Sequence, residues 1–199
     1  MKKLRNKILG DALWPIFIKM RRDLQQIIEI PEGVEVAIEG NEIAVKGKEG
    51  ELKRKFDGGN FSIKKKEKQI IIEGKKATKV EKKMMNTIRV HIKNMIVGVQ
   101  KKFEYVLKIA ASHFPMTVEV KKENAVIKNF FGEKIPRKVK IPKNVEVQVD
   151  KDKINIKSID KELAGQAAAN FEQATRISTK DRRVFQDGIF IINKAGVEI

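Results

Sequence analysis

Between Gln173 and Lys194 the chain reads Q-A-T-R-I-S-T-K-D-R-R-V-F-Q-D-G-I-F-I-I-N-K. Four cations, Arg176, Lys180, Arg182 and Arg183, fall within eight residues of that stretch. A helix-type run ends just before them, and Phe185 leads into Asp187-Gly188 and an apolar strand. Guanidinium and ammonium groups at this density suit phosphate or carboxylate oxygens, which arginine meets with a planar two-pronged fork. The chemistry of the stretch is electrostatic holding rather than bond making. It reads as a rigid turn that presents positive charge to something negative.

Residues that could make or break bonds are sparse. His91 and His113 are the only histidines, and they share no ligand spacing. His91 falls beside an apolar helical stripe, where packing accounts for it. Asp150 and Asp152 sit in a turn, where carboxylates accept local backbone hydrogen bonds. Gly47-Lys48 lacks the glycine spacing and strand-to-helix setting of a phosphate-cradling loop. Met84, Met85 and Met95 lie on or beside an apolar stripe, as core residues do. No nucleophile has a suitable base, so no enzyme, cofactor or metal site is expected. Cysteine is absent, which excludes disulfides and thiolate zinc sites and fits a reducing cytoplasm.

The charge balance points to the partner. The 199 residues carry a formal charge of +17. Residues 1–19 hold five Lys/Arg against one acid, 20–102 twenty against twelve, and 103–199 eighteen against thirteen. Every part is basic, a field that favours a polyanion such as a phosphate backbone. The cations cluster at Lys53-Arg54-Lys55, at Lys64, Lys65, Lys66 and Lys68, at Lys75, Lys76 and Lys79, and around Arg137, Lys138, Lys140 and Lys143. Aromatic residues are few: Tyr105 is the one tyrosine, and the phenylalanines mostly take alternating core positions. Stacking on single-stranded bases is poorly supported. Docking on the backbone and shape of folded RNA fits better.

The elements that must position these charges follow from hydrophobic periodicity. Residues 1–19 have a basic start and an apolar middle, interrupted by Asp11 and Pro15, with no small-residue cleavage site. They are expected to reflect a start upstream of the natural initiator, for which Met20 is the candidate, or a short basic tail. A membrane-surface anchor is the sharper alternative. From Ile27 the pattern alternates: Val34, Val36 and Ile38, a Gly40-Asn41 turn, then Ile43 and Val45 predict a hairpin. Leu52–Phe56, Phe61–Ile63 and Ile70–Ile72 predict further strands. The period then changes. Val80, Met84, Ile88, Ile92, Met95 and Val99 recur at helical spacing over about five turns. Phe103, Tyr105, Leu107 and Ile109 alternate again and are expected to close a β-rich unit wrapped around that helix.

The second half repeats the plan. Val118 and Val120 with Val126 and Ile127 predict a hairpin, Val139 and Ile141 a strand, and Val145–Val149 with Ile154–Ile156 another hairpin. A helix follows over about Lys161–Thr175, capped by Ser158 or Asp160, with Leu163, Ala167, Phe171 and Ala174 on its buried stripe. A last strand spans Ile189–Ile192. An offset of 82 superposes Val36 on Val118, Ile38 on Val120, Val45 on Ile127, Gly50 on Gly132 and Glu51 on Glu133. A rival offset of 111 aligns I-P-E-G-V-E-V with I-P-K-N-V-E-V, but only the first keeps the order of elements. The expected fold class is α+β, two tandem repeats, each a small and mostly antiparallel sheet on one helix. The expected domains are 20–102 and 103–199, after the 1–19 extension.

Gln173, Ile177, Lys180, Arg183, Phe185, Asp187-Gly188, Ile189 and Lys194 stand at the spacing of a known C-terminal signature. With the I-P-x-G-V-x-V opening and the duplication, the chain from about Met20 onward resembles the sixth universal protein family of the large ribosomal subunit (L-six), in its archaeal form. K-D-R-R-V-F-Q-D-G replaces the proline- and glycine-rich lysine motif of the bacterial branch. The resemblance implies a cytoplasmic ribosomal protein, part of the translation ribonucleoprotein. It would bind large-subunit (23S) rRNA near the base of the factor-binding stalk and the sarcin–ricin loop, with neighbouring ribosomal proteins as further partners. Its second domain would be the main rRNA-binding part, and its role architectural rather than catalytic.

On that basis Arg176, Lys180, Arg182, Arg183 and Lys194 are the expected RNA-binding residues. Phe185 is expected to anchor the turn, Gly188 to permit a backbone conformation other residues resist, and Asp187 to accept local backbone hydrogen bonds or pair with a neighbouring arginine. For Arg183 the competing expectation is such an internal salt bridge. The place equivalent to this segment in the first copy, Met95–Ile109, lacks the arginine cluster, which concentrates the expected RNA grip in the second. A free-standing RNA chaperone or regulatory RNA-binding protein is the alternative reading.

Overall fold

The computed structural model describes residues 22–56, 61–121, 123–178, 180–181 and 183–199. The expectations for residues 1–19 and for the Asp57-Gly58-Gly59-Asn60 turn lie outside them. The described chain divides into two compact units, one of residues up to 47 and 53–96, the other of 48–52 and 97–199.

The first half runs β1 (Arg22–Glu29), β2 (Glu35–Glu39), β3 (Glu42–Gly47), β4 (Gly50–Lys55), β5 (Phe61–Lys66), β6 (Gln69–Ala77) and α1 (Lys79–Gln100). Its strands form two three-stranded sheets, β2-β3-β4 and β1-β6-β5. Val36 faces Val45 and Ile38 faces Ile43 across the β2–β3 hairpin, so alternation in each strand stacks apolar residues on one face. Gly40 takes a positive φ of 61° at the turn, a region open to glycine without Cβ strain.

Helix α1 begins with a reciprocal cap. The Thr78 N–H donates to Glu81 Oε2 at 2.6 Å, and the Glu81 N–H donates to Thr78 Oγ1 at 3.4 Å, which satisfies two donors that the first turn leaves open. The predicted stripe is right in period and one residue off in phase at its start. Met85, Ile88, Ile92, Met95, Ile96 and Val99 are buried, whereas Val80 is exposed and Met84 only half-buried.

The second half runs β7 (Phe103–Ala110), β8 (Thr117–Lys121), β9 (Asn124–Lys128), a 3-10 turn (Phe130–Gly132), β10 (Arg137–Lys140), β11 (Glu146–Asp150), β12 (Lys153–Ser158), α2 (Lys161–Ala174), β13 (Gly188–Lys194) and β14 (Val197–Glu198). Its sheets are β10-β9-β8 and β11-β12-β7-β13-β14. The strand orders of the two halves correspond, β1-β6-β5 with β7-β12-β11 and β2-β3-β4 with β8-β9-β10, so the α+β duplication is visible in the topology.

One expectation is corrected here. Phe103–Ala110 does not close the first copy. It opens the second, lying between β12 and β13 with Leu107 opposite Ile154 and Ile109 opposite Ile189. Its counterpart is β1, whose pairing runs through residues too polar to show alternation. Among the described strands β1 pairs with β6 alone, so the described part of the first half holds no equivalent of β13.

The core of the second unit gathers Leu107, Ile127, Ile154, Ile156, Phe171 and Ile189, all fully buried. Ala164, Ala167 and Ala168 are buried with them, and their small side chains let α2 lie close to its sheets. Asp160 is the cap, its Oδ1 accepting from the Glu162 N–H at 2.9 Å. Ser158 instead donates to the Asn144 carbonyl and accepts from the Asp160 N–H.

Candidate nucleic-acid interface

The basic loop begins where α2 ends. Thr175 terminates the helix and holds the next strand to it: its Oγ1 accepts from the Ile189 N–H at 2.9 Å. Ile177 packs against the core. Asp181 then nucleates a turn, its side chain accepting from the Arg183 N–H at 2.9 Å and its carbonyl from the Phe185 N–H at 2.9 Å. These local bonds account for the D-x-R-V-F spacing: a carboxylate two residues ahead of an arginine fixes that arginine's backbone and leaves its side chain unconstrained.

Asp187 closes the loop. It is 4% exposed and accepts from the backbone N–H groups of Ser112 and His113 at 2.7 and 3.0 Å, with His113 Nδ1 at 3.1 Å from the same carboxylate. Burial pushes its pKa up, but the two N–H donors and the His113 ring outweigh that and hold it below the ordinary 3.8. The expectation of local acceptance or an arginine partner is thus corrected. The bonds are backbone bonds, but to a segment some 75 residues away. No ion pair to Arg183 forms among the described residues.

Phe185 does anchor the turn. Its ring stands 5.3 Å from that of His113 and 5.7 Å, edge-on, from that of Phe131. Above this pair sits Lys180, its Nζ 4.5 Å from the Phe131 centroid and 4.8 Å from that of Phe185. Two π faces hold the ammonium in place while the residue stays exposed. Phe131 reaches this position from a left-handed backbone with φ 50° and ψ 30°.

Gly188 owes its place to space, not to backbone freedom. It is absent from the positive-φ positions, and a Cβ there would stand 3.1 Å from the Phe190 ring.

Arg176 is exposed at the helix end, Lys180 and Arg183 are exposed on the loop, and Arg182 lies outside the described residues. Lys194 is exposed but is not brought to them. It ends the seven-residue strand that Gly188 begins, which sets it about 20 Å away at the usual strand rise.

Several cations of the other sequence clusters are spoken for. Arg137 donates to both Glu133 carboxylate oxygens at 2.8 and 2.6 Å, gives Nη1 to the Ala174 carbonyl at the end of α2, and covers the Phe130 ring at 4.2 Å. The Arg137 hydrogen bonds hold the Glu133 carboxyl below its ordinary range against the opposing effect of burial, helped by the charges of Arg137 and Lys180. Lys64 pairs with Glu73, Lys68 with Glu32, and Lys65 reaches the Val36 carbonyl. His113 and Phe131 are the functional neighbours the sequence did not reveal, since their partners are distant in the chain.

Among the described residues no group of acids and histidines could hold a metal ion, and no helix is long and apolar enough to cross a membrane. The arrangement can orient cations and bind anions.

Comparison with known proteins completes this picture. A family model described as Ribosomal protein L6 matches residues 30–102 and again 114–188. The chain is 48% identical over 171 residues to the large ribosomal subunit protein uL6 of Methanobrevibacter smithii, covering 86% of this chain and 96% of that one. It is 45% identical over 178 residues to uL6 of Methanosphaera stadtmanae, with 89% and 97% covered. It is 43% identical over 175 residues to uL6 of Methanothrix thermoacetophila, with 88% and 99% covered.

Proposed function

Because the chain belongs to the ribosomal protein L6 family of the large ribosomal subunit, we propose that it is an architectural subunit protein that grips rRNA through the loop after α2. The RNA is large-subunit (23S) rRNA near the stalk base and the sarcin–ricin loop. The second domain, 103–199, is the main grip, and the first, 20–102, supports the assembly. The protein works in the cytoplasm on the ribosome, beside neighbouring ribosomal proteins, and not as an enzyme.

The observation that carries this reading is the contrast between Arg137 and the loop cations. Arg137 spends its donors on Glu133 and a helix end, and so has little left for a phosphate. Lys180 and Arg183 are exposed on a turn fixed by Asp181 and Asp187; the Glu133 carboxylate near enough to feel Lys180 is itself bound by Arg137. An arginine so placed pre-organises the fork for phosphate and loses little entropy on binding. Arg176 and Arg182 extend the same basic run, and Lys194 makes a separate, weaker contact.

Binding of the full chain to a large-subunit rRNA fragment over a salt series tests the assignment. Lys180→Ala and Arg183→Ala should each flatten the log–log salt slope by about 0.7–0.9, with circular dichroism unchanged. If the double variant binds with the parent affinity and slope, the loop is not the grip.

A further inference from the structure

Phe190 departs from the pattern of its strand. Ile189 is fully buried on the core side, while Phe190 is 40% exposed on the other face. Register places Phe190 opposite Lys108 and Gly188 opposite Ala110, so an aromatic ring, a cation and two small residues share one patch of outer sheet. The ring leans back over Gly188, where a Cβ would meet its Cζ at 3.1 Å and its Cε2 at 3.3 Å.

Phe190 and Ala110 of this patch line an open cleft of about 650 Å³, within the usual size range for a small-ligand site. Its walls are Gln173 and Arg176 from the end of α2, with Glu172 beside them, and Phe185 and Gln186 from the loop. The cleft thus combines a flat apolar surface, two carboxamides that can both donate and accept, and a guanidinium. Those are the groups that a nucleobase with its phosphate requires: a stacking face, edge partners and an anion partner. The scarcity of aromatics in the sequence argues against stacking in general. The fold nonetheless leaves the Phe190 ring facing outward beside the cationic loop.

We propose that the cleft receives one unstacked nucleobase of the RNA that the loop grips, with the base on Phe190, its edge toward Gln173 and Gln186, and its phosphate toward Arg176. The assignment rests on the RNA-binding reading above and adds a base-recognition site to it. Stacking contributes no counterion release, whereas a phosphate contact does, so the two are separable by experiment.

The test uses the full chain and a protein-free large-subunit rRNA fragment. Phe190→Ala should weaken binding about tenfold, a loss in keeping with one base stacked on one ring, without changing the salt slope. Phe190→Tyr, which keeps the flat face, should restore affinity. Phe190→Leu, which keeps apolar bulk, should not, and it carries the test if the alanine variant is misfolded. Base-specific chemical probing should show one nucleotide protected by the parent and exposed with Phe190→Leu. The proposal is overturned if Phe190→Leu binds within twofold of the parent while the Lys180 and Arg183 variants still flatten the slope, an outcome that leaves the phosphate grip intact. It is also overturned if Phe190→Leu binds RNA normally but fails to enter reconstituted subunits, which would make the cleft a protein-docking surface. If the Lys180 and Arg183 variants leave the slope unchanged, the underlying RNA reading fails and the cleft assignment falls with it.

Discussion

Replacing Asp187 is the sharpest perturbation of the loop, because one buried carboxylate holds two chain segments together. Asp187→Ala removes the acceptor for the Ser112 and His113 N–H groups and the partner of the His113 ring. Hydrogen bonds to a charged acceptor contribute about 1.5–3 kcal/mol each, and a stranded donor costs its full desolvation. Two such bonds set a cost of about 3–5 kcal/mol, the low end applying where water reaches the N–H groups past the partly exposed His113. Asp187→Asn keeps one acceptor oxygen but turns an NH₂ toward the second donor, so about 2 kcal/mol is expected. Urea unfolding followed by far-ultraviolet circular dichroism measures both, with constant m-values as the check on two-state behaviour. The single tryptophan, Trp14, lies outside the described residues, so helix ellipticity is the better signal. If both variants unfold within 0.5 kcal/mol of the parent, the account of Asp187 as the clamp of the loop is wrong.

The same carboxylate predicts a pH dependence. Its native pKa is below the ordinary 3.8, so its stabilisation is complete above the ordinary aspartate range and is lost as pH falls through the depressed native value. Acid titrations of stability for the parent and Asp187→Asn should therefore converge as pH falls through that depressed native value, and parallel curves would contradict this. Phe171→Ala, which empties a fully buried position in α2, should cost about 3–5 kcal/mol in the same urea assay. Asp160→Ala removes the cap on the Glu162 N–H and should cost about 1 kcal/mol, with no effect on the RNA salt slope.

Much of the fold is legible in the sequence because its cores obey simple periods. The β2–β3, β8–β9 and β11–β12 hairpins follow from alternation, and α2 follows from its cap and alanines. The misses have definite causes. In α1 both Met84 and Met85 fit a helical stripe, and only the packed sheets select Met85. In β1 the run R-D-L-Q-Q-I-I-E mixes polar and apolar residues without alternation, so its pairing with β6 is invisible until β6 is in place. At the loop, Arg176, Lys180 and Arg183 are conspicuous by charge. What holds them, the Asp187 bonds to Ser112 and His113 and the Phe131 ring beneath Lys180, depends on contacts across long stretches of chain. Gly188 is recognisable as special, but its reason, the Phe190 ring, needs three dimensions.

The position of β7 between β12 and β13 also orders events during synthesis. The sheets of the first half draw their partners from within residues 22–77, so a nascent chain can pair all those strands early. β7 is completed soon after, yet one of its hydrogen-bonding edges stays bare until Gly188–Lys194 has been made. Contacts spanning such distances close slowly, and a bare strand edge invites pairing with the wrong chain. The loop cations lie between α2 and that same late strand, tied to it through the bond from the Ile189 N–H to Thr175 Oγ1, so this tie of the basic loop depends on the strand made last beside β7.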